Sequence, residues 1–299
     1  MTTKSAIEWT EATWSPVIGC TKVSKGCTHC YARREVETRW SKNPKSIWYG
    51  RSFSDVLCRE DAIGEPLSWR KPRTIFVCPR ADLFHEAVSD EFIDEVFAVM
   101  AMCPQHTFQV LTKRADRMWL YMSDAEMNVR DCVKYEPIAE TLRWPLPNVQ
   151  LGVSVEDQPN ADKRIQRLLA TPAATRWISA EPLLGAIDVR RYLDVDLDRG
   201  LGEPWLNWVV AGGESGPLAR PSHPDWFRSL RHQCGKAGVP FMFKQWGEWI
   251  PMMGHAEGVP VIGHKATMAD GTIMGRAGKR RAGRLLDGVM HDEYPRPAS

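Results

Sequence analysis

The chain of 299 residues carries a formal net charge of +2 and contains 43% hydrophobic and 25% charged residues. This composition excludes an intrinsically disordered chain and favours one main domain with a large core, while the small net charge neither requires nor excludes a nucleic-acid substrate. No apolar run approaches the roughly 20 residues of a membrane span, and the polar N-terminus lacks the apolar core of a signal peptide, so we expect a cytoplasmic protein with no membrane partner.

A first strand is predicted to lead into residues 16–19, directly before a cluster of three cysteines, Cys20, Cys27 and Cys30. A reducing compartment does not favour disulfides, so the cluster indicates metal or redox chemistry. Glycines at positions 19 and 26 let the loop fold around a metal centre and point its amides at the sulfurs. Three thiolates leave one metal position open for a substrate or cofactor. We therefore predict that these cysteines hold a [4Fe–4S] cluster.

A zinc site is the alternative, with His29 or a distant residue as the fourth ligand. A Cys-x-x-Cys pair in a zinc site usually has a second such pair as its partner, and the sequence has none. The other five cysteines stand singly, and each is expected to be a small buried hydrophobe; they are Cys58, Cys78, Cys103, Cys132 and Cys234.

Short apolar or β-branched runs recur along the rest of the chain, with turn residues or polar groups at their ends. Such runs are typical of strands buried on both faces of a parallel sheet. Segments with helical spacing lie between them, at 90–102, 160–170 and 225–237. The predicted strands occupy residues 74–78, 108–112, 149–153, 176–179, 208–211 and 240–243.

Strands that alternate with helices predict the α/β class and a parallel architecture. With the first strand the count is six or seven, fewer than the eight of a closed barrel, so we predict a partial parallel (β/α) barrel of about six strands. An open doubly wound sheet is the alternative, but no glycine-rich dinucleotide motif follows the first strand. We expect the barrel to span residues 1–250, with an insertion at about 121–147, and residues 251–299 to form a C-terminal extension packed on it.

The cysteine motif carries a family resemblance. Residues 15–20 (Ser-Pro-Val-Ile-Gly-Cys) and 26–33 (Gly-Cys-Thr-His-Cys-Tyr-Ala-Arg) resemble the cluster loop of spore photoproduct lyase and its radical S-adenosylmethionine relatives, which usually have three residues where six separate Cys20 from Cys27. The whole chain is similar to an uncharacterised phage and prophage family with this Cys-x6-Cys-x2-Cys spacing. That similarity runs through residues 82–85, 111–114, 152–156, 179–184, 212–216 and 244–247.

The resemblance implies a [4Fe–4S] cluster, S-adenosylmethionine as cofactor and a reducing electron donor. It also implies positions for four cofactor-binding residues. His29 is expected near the adenine, Ser154 and Glu156 at the ribose hydroxyls, and Asp82 at the methionine ammonium. The string Gly212-Gly213-Glu214 is similar to a methionine-binding motif of the superfamily but follows about the sixth strand, so we expect Glu214 nearer the substrate. A tight turn explains its glycines equally well.

Charged residues recur where predicted strands end, which is where parallel barrels carry their active sites. Buried charge is costly unless it is paired, so these residues indicate either a site or a structural ion-pair network around the rim. Lys113, Arg114 and Lys244 would form a cationic wall able to hold a phosphate or carboxylate. With Trp246 and Trp249 for stacking, a nucleotide or nucleic-acid substrate is consistent with this wall, although packing explains both rings equally well. The predicted substrate-binding residues are Lys113, Arg114, Glu181, Glu214 and Lys244.

The catalytic residue is left open by the sequence. Cys78, at the end of the second strand, is a candidate for supplying a hydrogen atom, with ordinary burial as the alternative. The predicted function is a radical S-adenosylmethionine enzyme acting on a nucleobase, nucleotide or DNA. Its rivals are a zinc-stabilised nucleic-acid-binding protein without catalysis and an iron–sulfur electron carrier or sensor.

Overall fold

A seven-stranded parallel sheet forms the centre of the computed structural model, which describes residues 5, 7–193, 205–253, 259–261 and 263–295. The strands are β1 (Ala12–Trp14), β2 (Val17–Ile18), β3 (Leu57–Cys58), β4 (Thr74–Val77), β5 (Thr107–Thr112), β6 (Val149–Ser154), β7 (Thr175–Ala180), β8 (Trp208–Gly212), β9 (Phe241–Gln245), β10 (Trp249–Pro251), β11 (Lys265–Thr267), β12 (Ile273–Arg276), β13 (Leu285–Leu286) and β14 (Val289–Met290). The α-helices are α1 (Tyr31–Glu35), α2 (Glu60–Ile63), α3 (Asp90–Ala101), α4 (Ala115–Cys132), α5 (Glu136–Thr141), α6 (Gln158–Ala170), α7 (Arg190–Leu193), α8 (Pro224–Ala237) and α9 (Lys279–Ala282), with a π-helical turn at Val36–Trp40 and 3₁₀ helices at Lys25–Cys27 and Glu65–Ser68.

The central sheet follows the chain, in the order β1-β4-β5-β6-β7-β8-β9, and every neighbouring pair is parallel. Helices α3, α4, α6 and α8 make the crossovers that parallel neighbours require. In the residues that the structure describes, β1 and β9 do not pair, so the sheet curls into an open half-barrel. The predicted α/β partial barrel is confirmed, and all six predicted runs are strands of this sheet.

The two faces of the half-barrel bury different side chains because successive residues of a strand point to opposite sides. Ile75 and Val77 belong to the main core under the helices. Phe76, between them, joins Trp177 and Trp9 in a second cluster, in which the Trp9 ring meets Phe76 at 4.5 Å and Trp177 at 5.2 Å between centroids. Aromatic rings therefore fill part of the concave side, which leaves the remainder for a cavity.

The crossover helices begin where capping side chains follow the strands. Ser89 accepts a hydrogen bond from the Phe92 amide at the start of α3, and Asp157 does the same for the Asn160 amide at the start of α6. Such caps satisfy amides that a first helical turn leaves without partners. Helices α4 and α6 start within a few residues of their strands, whereas longer loops precede α3 and α8. Because the strands are parallel, these loops gather at one edge of the sheet.

The stretch 121–147, predicted as an insertion, contains most of α4 and all of α5. Helix α4 begins at Ala115 and is the crossover from β5 to β6. Beyond β9, strands β10, β12 and β11 form a small antiparallel sheet. The tail then returns to β9, where the Phe243 amide donates to the His291 carbonyl at 3.0 Å. The domain boundaries themselves stay a prediction. Across the described ranges, none of the helices is long and apolar enough to cross a bilayer.

Gly152 makes room for the Trp177 ring on the strand beside it. A Cβ at position 152 would lie 2.4 Å from the ring. We expect Gly152→Ala to lower the free energy of unfolding by about 1–3 kcal/mol, the usual cost of overpacking. Gly235→Ala is the matched control, because an added Cβ there meets nothing within 4 Å in the exposed part of α8. That change should stabilise by about 0.5–1 kcal/mol.

Urea denaturation of both variants measures the two effects. An unchanged or raised stability in Gly152→Ala would contradict the packing described for the concave face.

Candidate functional site

A cavity of about 670 Å³ opens at the carboxyl ends of the central strands, a volume within the range of small-molecule sites. Of the thirteen residues that the sequence analysis assigned to the site, twelve line this cavity. Glu156 does not line it. The lining residues of that set are Cys20, Cys27, His29, Cys30, Cys78, Asp82, Lys113, Arg114, Ser154, Glu181, Glu214 and Lys244.

Residues 19–30, here called the cysteine loop, begin with a backbone conformation that glycine favours. Gly19 has a φ of +88°, and a Cβ there would lie 2.4 Å from the Asp55 carbonyl oxygen. The Cys20 amide donates to the Phe53 carbonyl at 2.9 Å, Cys27 ends a 3₁₀ turn, and Cys30 directly precedes α1. These local structures turn all three half-buried, unbridged thiols towards one cavity.

The three thiols are not drawn together as a finished ligand set. Over the described ranges, no three His, Cys, Asp or Glu side chains are grouped as the ligands of a metal ion would be. Burial, followed by the nearby Asp82 carboxylate, raises the pKa of Cys20 to about 11, so this side chain is a neutral thiol at pH 7. Metal binding requires thiolates and would release that proton.

Arg114 makes the first of three ties between the strand ends and the cysteine loop. It follows β5 and is 7% exposed. Its Nη1 donates to Asp82 at 3.2 Å and lies 3.6 Å from the Cys20 sulfur, while its Nη2 donates to the Thr21 hydroxyl at 2.9 Å. The Nε donates to the Glu86 carboxylate at 2.8 Å. Together these hydrogen bonds of Arg114 hold the start of the loop against the end of β5.

Glu156 makes the second tie, from the end of β6. Its carboxylate is completely buried, accepts from Arg164 at 2.7 Å and accepts from the Gly26 amide at 3.3 Å. A Cβ at Gly26 would lie 3.0 Å from this carboxylate, so the loop passes directly over it. Arg164 also donates to the Ser154 carbonyl at 2.7 Å. Glu156 is therefore a buried support beneath the loop and does not face the cavity.

Glu214 makes the third tie, from the end of β8. Arg220 grips both oxygens of this carboxylate, with Nη2 at 2.6 Å and Nε at 2.8 Å, and its Nη2 also donates to the Lys25 carbonyl of the cysteine loop at 3.1 Å. Position 213, directly before Glu214, must be glycine, because a Cβ there would lie 2.0 Å from the Trp246 carbonyl oxygen. Close packing of the two chain segments thus requires this part of the Gly-Gly-Glu string.

Glu181 and Lys244 form a further pair on the cavity wall. The ammonium lies 2.8 Å from one carboxylate oxygen, and the Gln245 amide donates to the other at 3.0 Å. Both side chains are largely buried. Of the three cations predicted to form a substrate wall, Arg114 and Lys244 are therefore held in ion pairs, and Lys113 forms none in the part of the chain that the structure describes.

An aromatic lobe of residues 31–58 covers the other side of the cysteine loop. Its small core includes Val36, Trp48 and Phe53, and the side chains of Cys20 and Cys30 pack against it. The Trp48 and Phe53 rings stack at 6.0 Å between centroids. Two of the three sulfurs therefore border an apolar surface, which limits the access of water to any group they hold.

The cofactor-binding residues expected from the resemblance differ in what else they contact. All acceptor positions of Asp82 are engaged, since Oδ1 accepts from Thr112 and the Phe84 amide while Oδ2 accepts from Arg114 and the Lys113 amide. Half-buried His29 and buried Ser154 line the cavity, and His29 has no ion pair within the described ranges.

Cys78 is buried, lines the cavity and has a φ of +55°, in the left-handed region that non-glycine residues rarely adopt. Burial raises the pKa of its thiol well above the usual range, so the sulfur keeps its proton at neutral pH.

The partners of the predicted charges, Arg164 and Arg220, were not among the predicted site residues. Arg164 lies on α6, eight residues after Glu156, and Arg220 lies six residues after Glu214. A signal was present, because a carboxylate at a buried strand end requires a cation nearby. The sequence separations do not indicate which arginine pairs with each carboxylate.

Residues 4–295 match the profile of the family described as "Protein of unknown function (DUF5131)", and the chain belongs to this family. No curated protein matches it. A solved structure of "Spore photoproduct lyase complexed with dinucleoside spore photoproduct" aligns with 94% of this chain and 72% of its own, at 9% identity and a TM-score of 0.39. The prediction of an uncharacterised family is confirmed, and its association with phages stays a prediction.

The buried Glu156–Arg164 pair under the loop makes a measurable prediction. Glu156→Gln leaves Arg164 without its counter-charge in a site closed to water, so the free energy of unfolding should fall by about 3 kcal/mol. Hydrogen exchange of the Gly26 amide should accelerate as well. In the control, Glu126→Gln removes an exposed pair with Arg130 and should change stability by no more than about 0.5 kcal/mol. Equal losses in the two variants would contradict the proposed support.

Proposed function

We propose that this chain is a radical S-adenosylmethionine enzyme in which Cys20, Cys27 and Cys30 hold a [4Fe–4S] cluster. One observation carries the proposal: three thiols of a single loop line one cavity at the carboxyl end of a parallel half-barrel. This end is where enzymes of β/α architecture place their chemistry. Three thiolates satisfy three of four irons and leave the fourth open to a cofactor.

The donor set and its surroundings fit such a cluster. Cysteine thiolates are the ordinary ligands of iron–sulfur clusters, and the apolar lobe beside Cys20 and Cys30 would shield the cluster from water. Cluster assembly would draw the three sulfurs into one ligand set. The ties at Thr21, Lys25 and Gly26 anchor the loop at its start and middle while this happens.

Held by Cys20, Cys27 and Cys30, a cluster reduced by an external donor would supply the one electron needed for reductive cleavage of S-adenosylmethionine. The residues of the chain bind and orient. We assign His29 and Ser154 to the cofactor, since both line the cavity. Asp82 and Glu156 support the loop in the arrangement seen. Cys78 keeps its S–H bond at neutral pH, the form that can give up a hydrogen atom, and we assign it that role.

We further propose a nucleobase, nucleotide or DNA as the substrate. Three cations line the cavity without an ion pair in the described residues: Lys22, Arg34 and Lys113. Tyr31 is exposed at the same cavity. Trp40 also lines it, and its ring lies under the Arg80 guanidinium at 4.5 Å. Cations that bind phosphate and rings that stack on bases are the usual means of holding nucleic acid strands.

The cluster assignment is tested with protein purified and reconstituted without oxygen. We expect about four irons per chain and, with dithionite and S-adenosylmethionine, release of 5′-deoxyadenosine. Cys27→Ala should lose both the cluster and the product. Cys132→Ala, whose thiol lies outside the cavity, should keep both.

Other results would point to the rival functions. Retention of the cluster in Cys27→Ala would end the ligand assignment, and stoichiometric zinc without iron would favour a zinc-stabilised nucleic-acid-binding protein. A cluster without cofactor cleavage would favour an electron carrier or sensor.

Lys113 tests the substrate class. Lys113→Met should weaken binding of a short single-stranded oligonucleotide about tenfold at low salt, because one charge-assisted contact is lost. The slope of log affinity against log salt should decrease by about 0.7. Lys163 is exposed on α6 outside the cavity, so Lys163→Met is the control and should bind as the wild type does. Fluorescence anisotropy over a salt series measures both quantities, and an equal loss in the two variants would contradict an anionic substrate in the cavity.

A further inference from the structure

The Arg114 guanidinium lies beside the first cysteine of the loop, and we propose that it is a positioning residue that raises the reduction potential of the cluster. This inference rests on the proposed function. Arg114 Nη1 lies 3.6 Å from the Cys20 sulfur, within hydrogen-bond range for a sulfur acceptor. Over the described ranges, no comparable side-chain donor reaches Cys27 or Cys30. The contact therefore distinguishes one ligand from the other two.

Arg114 has little freedom to leave the sulfur, because all five of its N–H groups have acceptors. Nε donates to both oxygens of Glu86, at 2.8 and 3.0 Å, and Nη1 is shared between Asp82 and Cys20. Nη2 donates to the Thr21 hydroxyl at 2.9 Å and to its carbonyl at 3.5 Å. A guanidinium held at so many points is also unsuited to the substrate-binding role that its place at a strand end had predicted.

The acceptor on the loop is itself fixed from a second side. His85 Nε2 lies 2.8 Å from the Thr21 hydroxyl, and its Nδ1 accepts from the Ala87 amide at 3.1 Å. With Nδ1 accepting, the neutral ring carries its proton on Nε2 and donates to Thr21. Thr21, next to Cys20 in the chain, is thus held between Arg114 and His85. The distance from guanidinium to sulfur follows from this bracing.

Hydrogen bonds and positive charge at a ligating sulfur stabilise the cluster form that carries one more electron. Two carboxylates oppose the effect, since Asp82 and Glu86 are both paired with Arg114. Removal of the Arg114 charge would leave both carboxylates uncompensated near Cys20 and should make reduction harder. Removal of the Glu86 charge would leave Arg114 less compensated and should make reduction easier. If Arg114 and Glu86 served the fold alone, their substitutions would not shift the reduction potential in opposite directions.

The test is a redox titration of the reconstituted protein, with dithionite as the reductant and electron paramagnetic resonance as the readout. In Arg114→Gln, the ratio of reduced to oxidised cluster at a fixed potential should fall at least tenfold, which equals about 59 mV for a one-electron couple. In Glu86→Gln the ratio should rise by about threefold. Glu126→Gln, which removes an exposed carboxylate on α4, is the charge-matched control and should leave the ratio unchanged.

Each outcome decides the question. Iron content shows whether a variant holds the cluster, and an unchanged ratio in a fully loaded Arg114→Gln protein overturns the inference. If Arg114→Gln loses the cluster, Glu86→Gln carries the test, because its side chain is 67% exposed and its substitution leaves Arg114 in place. An unchanged or lowered ratio there overturns the inference. A wild-type protein without a cluster overturns the proposed function and this inference together, whereas a wild-type cluster with no shift in either variant overturns the inference alone.

Discussion

The cysteine loop is held by buried charge, and the arrangement of the cavity depends on that constraint. Three ionic groups at the ends of β5, β6 and β8 reach the loop through Arg114, Glu156 and the Glu214–Arg220 pair. A charge in such a place is costly unless a counter-charge and hydrogen bonds accompany it, and each of these groups has both. Because every tie begins on a different strand, the position of the loop is set by the curvature of the whole sheet.

The same constraint changes the meaning of the charged residues at the strand ends. They are conspicuous in the sequence, and their type suggests contact with substrate or cofactor. In the structure, several of these residues pair with one another and bond to the backbone of residues 21–26. Within the described residues, Lys113, Lys22 and Arg34 line the cavity without an ion pair. One set of strand-end residues therefore supplies both the ion-pair network around the rim and part of the lining of the cavity.

The fold could be predicted from the sequence because strands buried on both faces are near-continuous apolar runs. Runs such as Trp208–Gly212, with every residue buried, have few interpretations other than an inner strand of a parallel sheet. Helix α4 was harder to recognise, since it begins three residues after β5 and its exposed Leu120 and Met127 obscure the apolar face formed by Met118 and Met122. The insertion predicted at 121–147 therefore begins after the first turns of this helix.

The candidate site was predicted in outline for a related reason. Topology alone brings the ends of parallel strands together, so residues such as Asp82 and Glu181 converge whatever their partners. The partners come from elsewhere in the chain, at separations that no periodicity encodes. Arg220 pairs with Glu214 because a turn after β8 brings the chain back to that carboxylate. Glu156 lies under Gly26 because the cysteine loop, from a distant part of the chain, passes above it.

The tail that returns to β9 has a consequence for how the protein is made. The His291 carbonyl and the bridge from Asp292 to Met242 cover the free edge of β9, which precedes them by about 50 residues of chain. Until that segment leaves the ribosome, the growing half-barrel presents an unpaired strand edge of the kind that promotes association with other chains. A chain that has not yet covered this edge has therefore not yet finished the sheet whose strand ends hold the three cysteines in place.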